Sequence, residues 1–229
     1  MKKQNIQSAV LCFFLLLTFS CKREVEVAPE MGYDYFPTKI GQWVIYDVDS
    51  IFYDSFKQFA FHYHYQIKEI IESDFLDNSG KTTQRIERYR RDNDSMPWII
   101  KNVWYANRTA TTAEKVEINN RFIKLIFPLK ADKIWNGNSY NTIGSWDYQY
   151  TDINTFATIG NLYFDSTVTV TQTGYNDPII NTQLGKEVYA KHVGMIYREY
   201  TNLEIKIDTG SNRDTSGVSY RMTVIDYAK

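Results

Sequence analysis

Between Phe56 and Ile71 the chain alternates with a period of two. Phe59, Phe61, Tyr63, Tyr65, Ile67 and Ile71 share one parity, while His62, His64, Gln66, Lys68 and Glu72 occupy the other. Successive strand side chains point to opposite faces, so this run predicts a strand with an apolar face inward and a polar face outward. A strand of that kind is stable only when its apolar face is buried and its backbone is paired on neighbours, which commits the chain to a sheet. The composition agrees. Aromatic residues make up 16% of the chain, with 18 Tyr and 13 Phe, and Tyr, Phe and Thr favour a pleated, half-buried surface.

Turn chemistry recurs at hairpin spacing: Asp77–Gly80 (DNSG), Arg91–Pro97 (RDNDSMP), Asn136–Asn141 (NGNSYN) and Thr173–Pro178 (TGYNDP). The intervening segments predict about nine or ten strands. Lys81–Arg91 is heavily charged, as suits a solvated edge strand. Tyr148–Asn161 is the best candidate for a short helix or an irregular crossing segment. The expected fold class is therefore all-β: an antiparallel β-sandwich or open β-barrel with at most one or two short helices. Two segments look alike, FPTKIGQW at Phe36–Trp43 and FPLKADKIW at Phe127–Trp135, which is the pattern either of an internal duplication with a boundary near residue 125 or of chance.

The first 21 residues read as an address. Lys2 and Lys3 precede an apolar run from Ala9 to Phe19, long enough for a signal-peptide core and short of the ~18–20 residues that span a bilayer. Ser20 then meets Cys21, followed by Lys22, Arg23, Glu24 and Glu26. This layout is similar to a bacterial lipoprotein signal, in which the cysteine after the cut is lipidated. Thr18 and Ser20 also fit an ordinary secretory cleavage site, which is the rival reading. The expected organisation is a signal peptide over 1–20, a lipidated tether over 21–32 with Cys21 as the lipid carrier, and a β domain over 33–229. Cys12 would be removed and Cys21 acylated, leaving no thiol for a disulfide, a zinc site or a nucleophile.

YFPTKIGQWVIY near the start of the β region, IFPLKADKIWNGNSYN in mid-chain and KEVYAKHVGMIYREY near the end, taken with the leader, resemble a group of uncharacterised outer-membrane lipoproteins of Bacteroidota. The resemblance spans most of residues 33–207 and implies lineage, layout and an outer-membrane, lipid-anchored location on either face. His192-Val193 departs from the Gly-Val-Gly expected before the late strand. A looser similarity is to open β-barrels of the LolA/LolB type, which hold acyl chains in a concave sheet.

Chemistry-bearing motifs are sparse. His62 and His64 point the same way from one strand and are candidate zinc or copper ligands, with solvent-facing histidines as the simpler alternative. Asp92 and Asp94, and Asp208, Asn212 and Asp214, carry oxygens of the type calcium takes, but the same residues build ordinary turns. Arg85, Arg88, Arg90 and Arg91 could meet phosphates, yet Glu87 and Asp92–Asp94 partly neutralise them. The chain lacks G-x-S-x-G, H-E-x-x-H and a P-loop, so no catalytic residue and no cofactor is assigned and an enzyme finds little support. A formal net charge of −1 argues against nucleic acid as a partner. The sequence thus predicts a membrane-anchored, non-catalytic module for an apolar ligand such as lipid, or for an outer-membrane protein complex. Cell-surface glycan binding or processing is the alternative.

Overall fold

The structure is a computed structural model that describes residues 30–177, 180–207 and 213–228. A 3-10 turn at Tyr33–Tyr35 leads into twelve strands: β1 (Trp43–Asp54), β2 (Phe59–Leu76), β3 (Thr82–Arg91), β4 (Ile99–Arg108), β5 (Thr112–Glu117), β6 (Asn120–Ile126), β7 (Ile134–Asn136), β8 (Asp147–Ile159), β9 (Leu162–Asp177), β10 (Asn181–Ala190), β11 (Gly194–Ile207) and β12 (Arg213–Ala228). All pair antiparallel in one sheet of order β6-β5-β4-β3-β2-β1-β12-β11-β10-β9-β8-β7. Strands consecutive in sequence are paired, except β6 and β7, which form the two edges, and β1 pairs with β12.

The sheet curls until its two edges approach each other, as strand twist favours. The Ile123 amide of β6 donates to the Gly137 carbonyl beyond β7 at 2.9 Å. Trp135 Nε1 donates to Ile123 O at 2.9 Å, and the Tyr150 hydroxyl donates to Ile126 O at 2.8 Å. The result is a nearly closed barrel, the open-barrel form of the predicted all-β class. Gly137 is required at this seam, because a Cβ there would lie 2.4 Å from the ring of Tyr148.

Local chemistry explains the turns. Asp77 Oδ1 accepts from the Ser79 and Lys81 amides at 2.8 and 3.0 Å, closing the β2–β3 turn. Ile118 and Asn119 both hold positive φ (49° and 65°), the geometry of a tight two-residue hairpin. His192, where glycine was expected, adopts φ 64°. It is held there from both sides, since its amide donates to Asp34 O and its carbonyl accepts from Gln42 Nε2.

Three expectations are corrected. Tyr148–Asn161 is no helix: it falls mostly in β8, and its periodicity is lost because β8 pairs with β9 through three successive irregularities between Tyr150 and Ala157. Lys81–Arg91 is no edge, since β3 lies between β2 and β4; its charges are tolerated because each arginine meets a carboxylate or a ring. Among the described residues there are twelve strands rather than nine or ten, because β7 spans three residues and β5 six, too short to show a period. The look-alike segments each precede a run of six strands, β1–β6 and β7–β12.

Two clusters fill the interior. One joins Tyr35, Trp104, Leu125, Phe127, Trp135, Trp146, Tyr148, Tyr150 and Val170, and the other joins Val44, Tyr46, Val48, Ile67, Phe164, Ile196, Met222 and Val224. Deeply buried tyrosines keep their hydroxyls satisfied: Tyr46 donates to Met195 O at 2.8 Å and Tyr35 to Asn154 Oδ1 at 2.6 Å.

Candidate functional site

Charged side chains stand in the barrel interior, at positions that share the inward face with apolar neighbours. On β2, Glu69 follows Ile67 on the inward parity and pairs across the strands with Val44 and Arg88. On β5, Lys115 and Glu117 alternate after the buried Ala113. Lys124 of β6, Glu187 of β10 and Arg198 of β11 complete the set.

These groups form two linked ion clusters. Glu69 accepts from Arg88 Nε and Lys115 Nζ, each at 2.8 Å. Arg88 stacks on Trp104, its guanidinium carbon 3.7 Å from the ring centre. Lys124 Nζ bridges Glu187 at 2.9 Å and Glu117 at 3.3 Å, and Arg198 Nη1 meets Glu117 at 3.1 Å. Arg198 Nε lies 3.3 Å from Glu187 Oε1 but is not aligned to donate. The contacts cross from β5 and β6 to β10 and β11, so they tie opposite walls of the barrel together.

Electrostatics keep the carboxylates ionised. Burial pushes Glu69, Glu117 and Glu187 up, but the cations beside them more than reverse this, and all three are held below the usual carboxylate range. The Tyr189 hydroxyl, raised by burial and by Glu187, donates to Glu187 Oε2 at 2.5 Å. Four cations (Arg88, Lys115, Lys124, Arg198) face three carboxylates, so the two clusters together carry one excess positive charge.

A cavity of about 80 Å³ reaches this charged zone. Half-buried Pro37, Trp43, Ile71 and Met195 line it together with buried Gln42 and Gln84, and Glu69, Lys115, Glu117 and Lys124 supply its charge. The amide oxygens of Gln42 and Gln84 are buried without a hydrogen-bond partner.

A second feature lies toward the opposite end of β1. The β1–β2 register is regular, so the core face of Val48 and Tyr65 continues through Ser50 and Tyr63 to Phe52 and Phe61, then Phe59. Phe52, Phe59 and Tyr63 are exposed although they share the core's parity. The strands that carry them are 12 and 18 residues long, whereas β5, β6 and β7 have six, seven and three. The long strands outrun the short ones and leave an uncovered aromatic wall.

The described residues singled out from sequence lie at the surface, Arg88 excepted. His64 Nδ1 lies 3.0 Å from Asp49 and its Nε2 3.3 Å from Asp47, and His62 is exposed on the same strand. The hydrogen bond to Asp49 and the charge of Asp47 raise the His64 pKa. Among the described residues, no group of three or more His, Cys, Asp or Glu is placed to hold a metal ion. Asp92 pairs with Arg90 and Asp94 with Arg91. Asp214 accepts from Gln58 Nε2 at 3.0 Å, while Asp208, Asn212 and Cys21 lie outside the described residues. Of the four arginines, only Arg88 enters the interior cluster. Glu69, Lys115, Glu117, Lys124, Glu187 and Arg198 were not recognised from sequence. The available signal was Glu69 itself, a charge on the apolar parity of the clearest strand.

No family model matches the chain, and no curated protein does. Two crystal structures are similar to it. One is a candidate exported protein with a YmcC-like fold from Bacteroides fragilis: TM-score 0.47, 8% identity, covering 85% of this chain and 98% of the other. The second is a candidate lipoprotein from Parabacteroides distasonis: TM-score 0.40, 12% identity, with the same coverages. Likeness this distant carries no conclusion about the chain's role.

Proposed function

We propose that this chain is a lipid-anchored protein of the bacterial outer membrane, held through Cys21, and that it serves without catalysis as an accessory module for a protein complex of the envelope. The placement rests on the leader. The choice between a lipid cargo and a protein partner rests on one observation, the filled interior. Its cavity of about 80 Å³ falls well short of the roughly 300–1,000 Å³ of a typical ligand pocket, so among the described residues the barrel interior leaves no room for an acyl chain. The aromatic wall of Phe52, Phe59 and Tyr63 is the kind of exposed apolar surface that marks a protein contact. It lies at the far end of β1 from Trp43, where the chain enters the barrel, and twelve strand residues put about 40 Å between the ends. An anchored chain would therefore present this wall away from its own membrane. Glycan binding has less support, because the exposed stacked pair Phe156 and Tyr163 stands apart from the interior cavity.

Two measurements test the reading. Labelled palmitate should enter the wild-type protein and not Cys21→Ser. Crosslinking in intact cells, followed by purification from membranes, should recover a discrete protein partner with the wild type and lose it with Phe59→Asp. Recovery of stoichiometric lipid in place of protein would overturn the proposal.

A further inference from the structure

From the cavity and the charges that line it, we infer that the chain binds a small hydroxycarboxylate, its carboxylate on Lys115 and its hydroxyl donating to the amide oxygen of Gln84. This site goes beyond the accessory role and does not depend on it. Lys115 and Lys124 line the cavity with Glu69 and Glu117, and Arg88, Arg198 and Glu187 stand behind them, so the surrounding field carries one excess positive charge and favours an anion over a cation. Lys115 is the group placed to receive it. An ammonium has three N–H donors, and Lys115 uses one of them on Glu69 while lining the cavity. Lys124, by contrast, is already shared between Glu117 and Glu187.

The glutamines set the rest of the ligand. Gln42 donates its amide to His192 O, which fixes its oxygen as the free acceptor. Gln84 likewise leaves its amide oxygen unpaired. A buried acceptor without a donor costs about 1–3 kcal/mol, so a ligand hydroxyl there is favoured over an apolar group. The volume limits size. About 80 Å³ is a small fraction of the roughly 300–1,000 Å³ of a drug-sized ligand pocket, so only a ligand of a few heavy atoms fits, and the mouth at Trp43, Ile71 and Met195 can cover a short apolar end.

The test uses the chain from Cys21 onward without its lipid and three probes of similar size: lactate, propionate lacking the hydroxyl, and propane-1,2-diol lacking the charge. Titration calorimetry and amide NMR shifts should give lactate a Kd at least about tenfold below that of either other probe. Gln84→Leu should weaken lactate by about tenfold or more, and Lys115→Met should abolish binding. Because Lys115→Met removes a buried pair and can unfold the chain, Met195→Trp, which fills the mouth, serves as the second blocking variant. Lactate that fails to saturate by about 10 mM, or binds no better than propionate and the diol, overturns the inference. So does unchanged lactate binding in folded Gln84→Leu and Met195→Trp.

Discussion

Removing the Glu187 carboxylate should expose how far the barrel depends on its interior ions. Glu187 is fully buried and Lys124 is 2% exposed, so neither can turn to water for compensation. In Glu187→Gln, Lys124 and Arg198 keep only Glu117, at 3.3 and 3.1 Å, and the excess interior charge doubles. Breaking one partner of a buried pair costs about 3–5 kcal/mol. The Tyr189 hydroxyl retains an amide acceptor, so that bond adds little to the loss. At about 2–4 °C per kcal/mol for a chain of this size, Tm should fall by roughly 6–20 °C. Lys124→Met should cost a similar amount, since it takes the nearest cation from Glu187 and leaves Glu117 with Arg198. The double variant Glu187→Gln/Lys124→Met should cost less than the sum of the two, with a coupling of about 2 kcal/mol or more. Urea denaturation of the four proteins measures this cycle. Single losses below about 1 kcal/mol, or strict additivity, would refute the claim that these charges act as one unit across the barrel.

Gly137→Ala should open the seam between β6 and β7 by pushing a methyl into Tyr148, at a cost of about 1–3 kcal/mol; faster hydrogen exchange at the Ile123 amide would show it, and unchanged protection would refute it. The depressed carboxylates predict acid sensitivity. A folded pKa below the unfolded value of about 4.3 gives stability that is present above that pH and lost as the pH falls through the folded values, so the urea midpoint should be flat near pH 6–7 and drop below about pH 4.5. For His64 the sign is opposite: its contribution is full below about pH 6.5 and is lost as pH rises through its raised folded value, and it is small because the ring is exposed. Its NMR titration midpoint should lie above 6.5 and fall back in Asp49→Asn.

How much was legible in advance depended on the length and regularity of each strand. Residues Phe59–Ile71 are long and pair without interruption on β1, so their period survives in the sequence. Residues 147–159 pair just as antiparallel, but three irregularities shift their parity and make them read as helix or crossing chain. The arginines of β3 read as solvated because charge in a strand normally is; Arg88 is internal only because Glu69, 19 residues earlier on the neighbouring strand, stands opposite. Nothing local marks Lys124 or Glu187, whose contact joins residues 63 positions apart.

Alternation and turn chemistry alone determined that this chain is antiparallel sheet, because side-chain parity and tight-turn geometry are properties of neighbouring residues. Barrel closure, the inward placement of seven charges and the small cavity beside them were decided only when distant strands met. A buried charge is tolerable only beside its counter-ion, and that partner is set by which strands face each other, not by position along the chain.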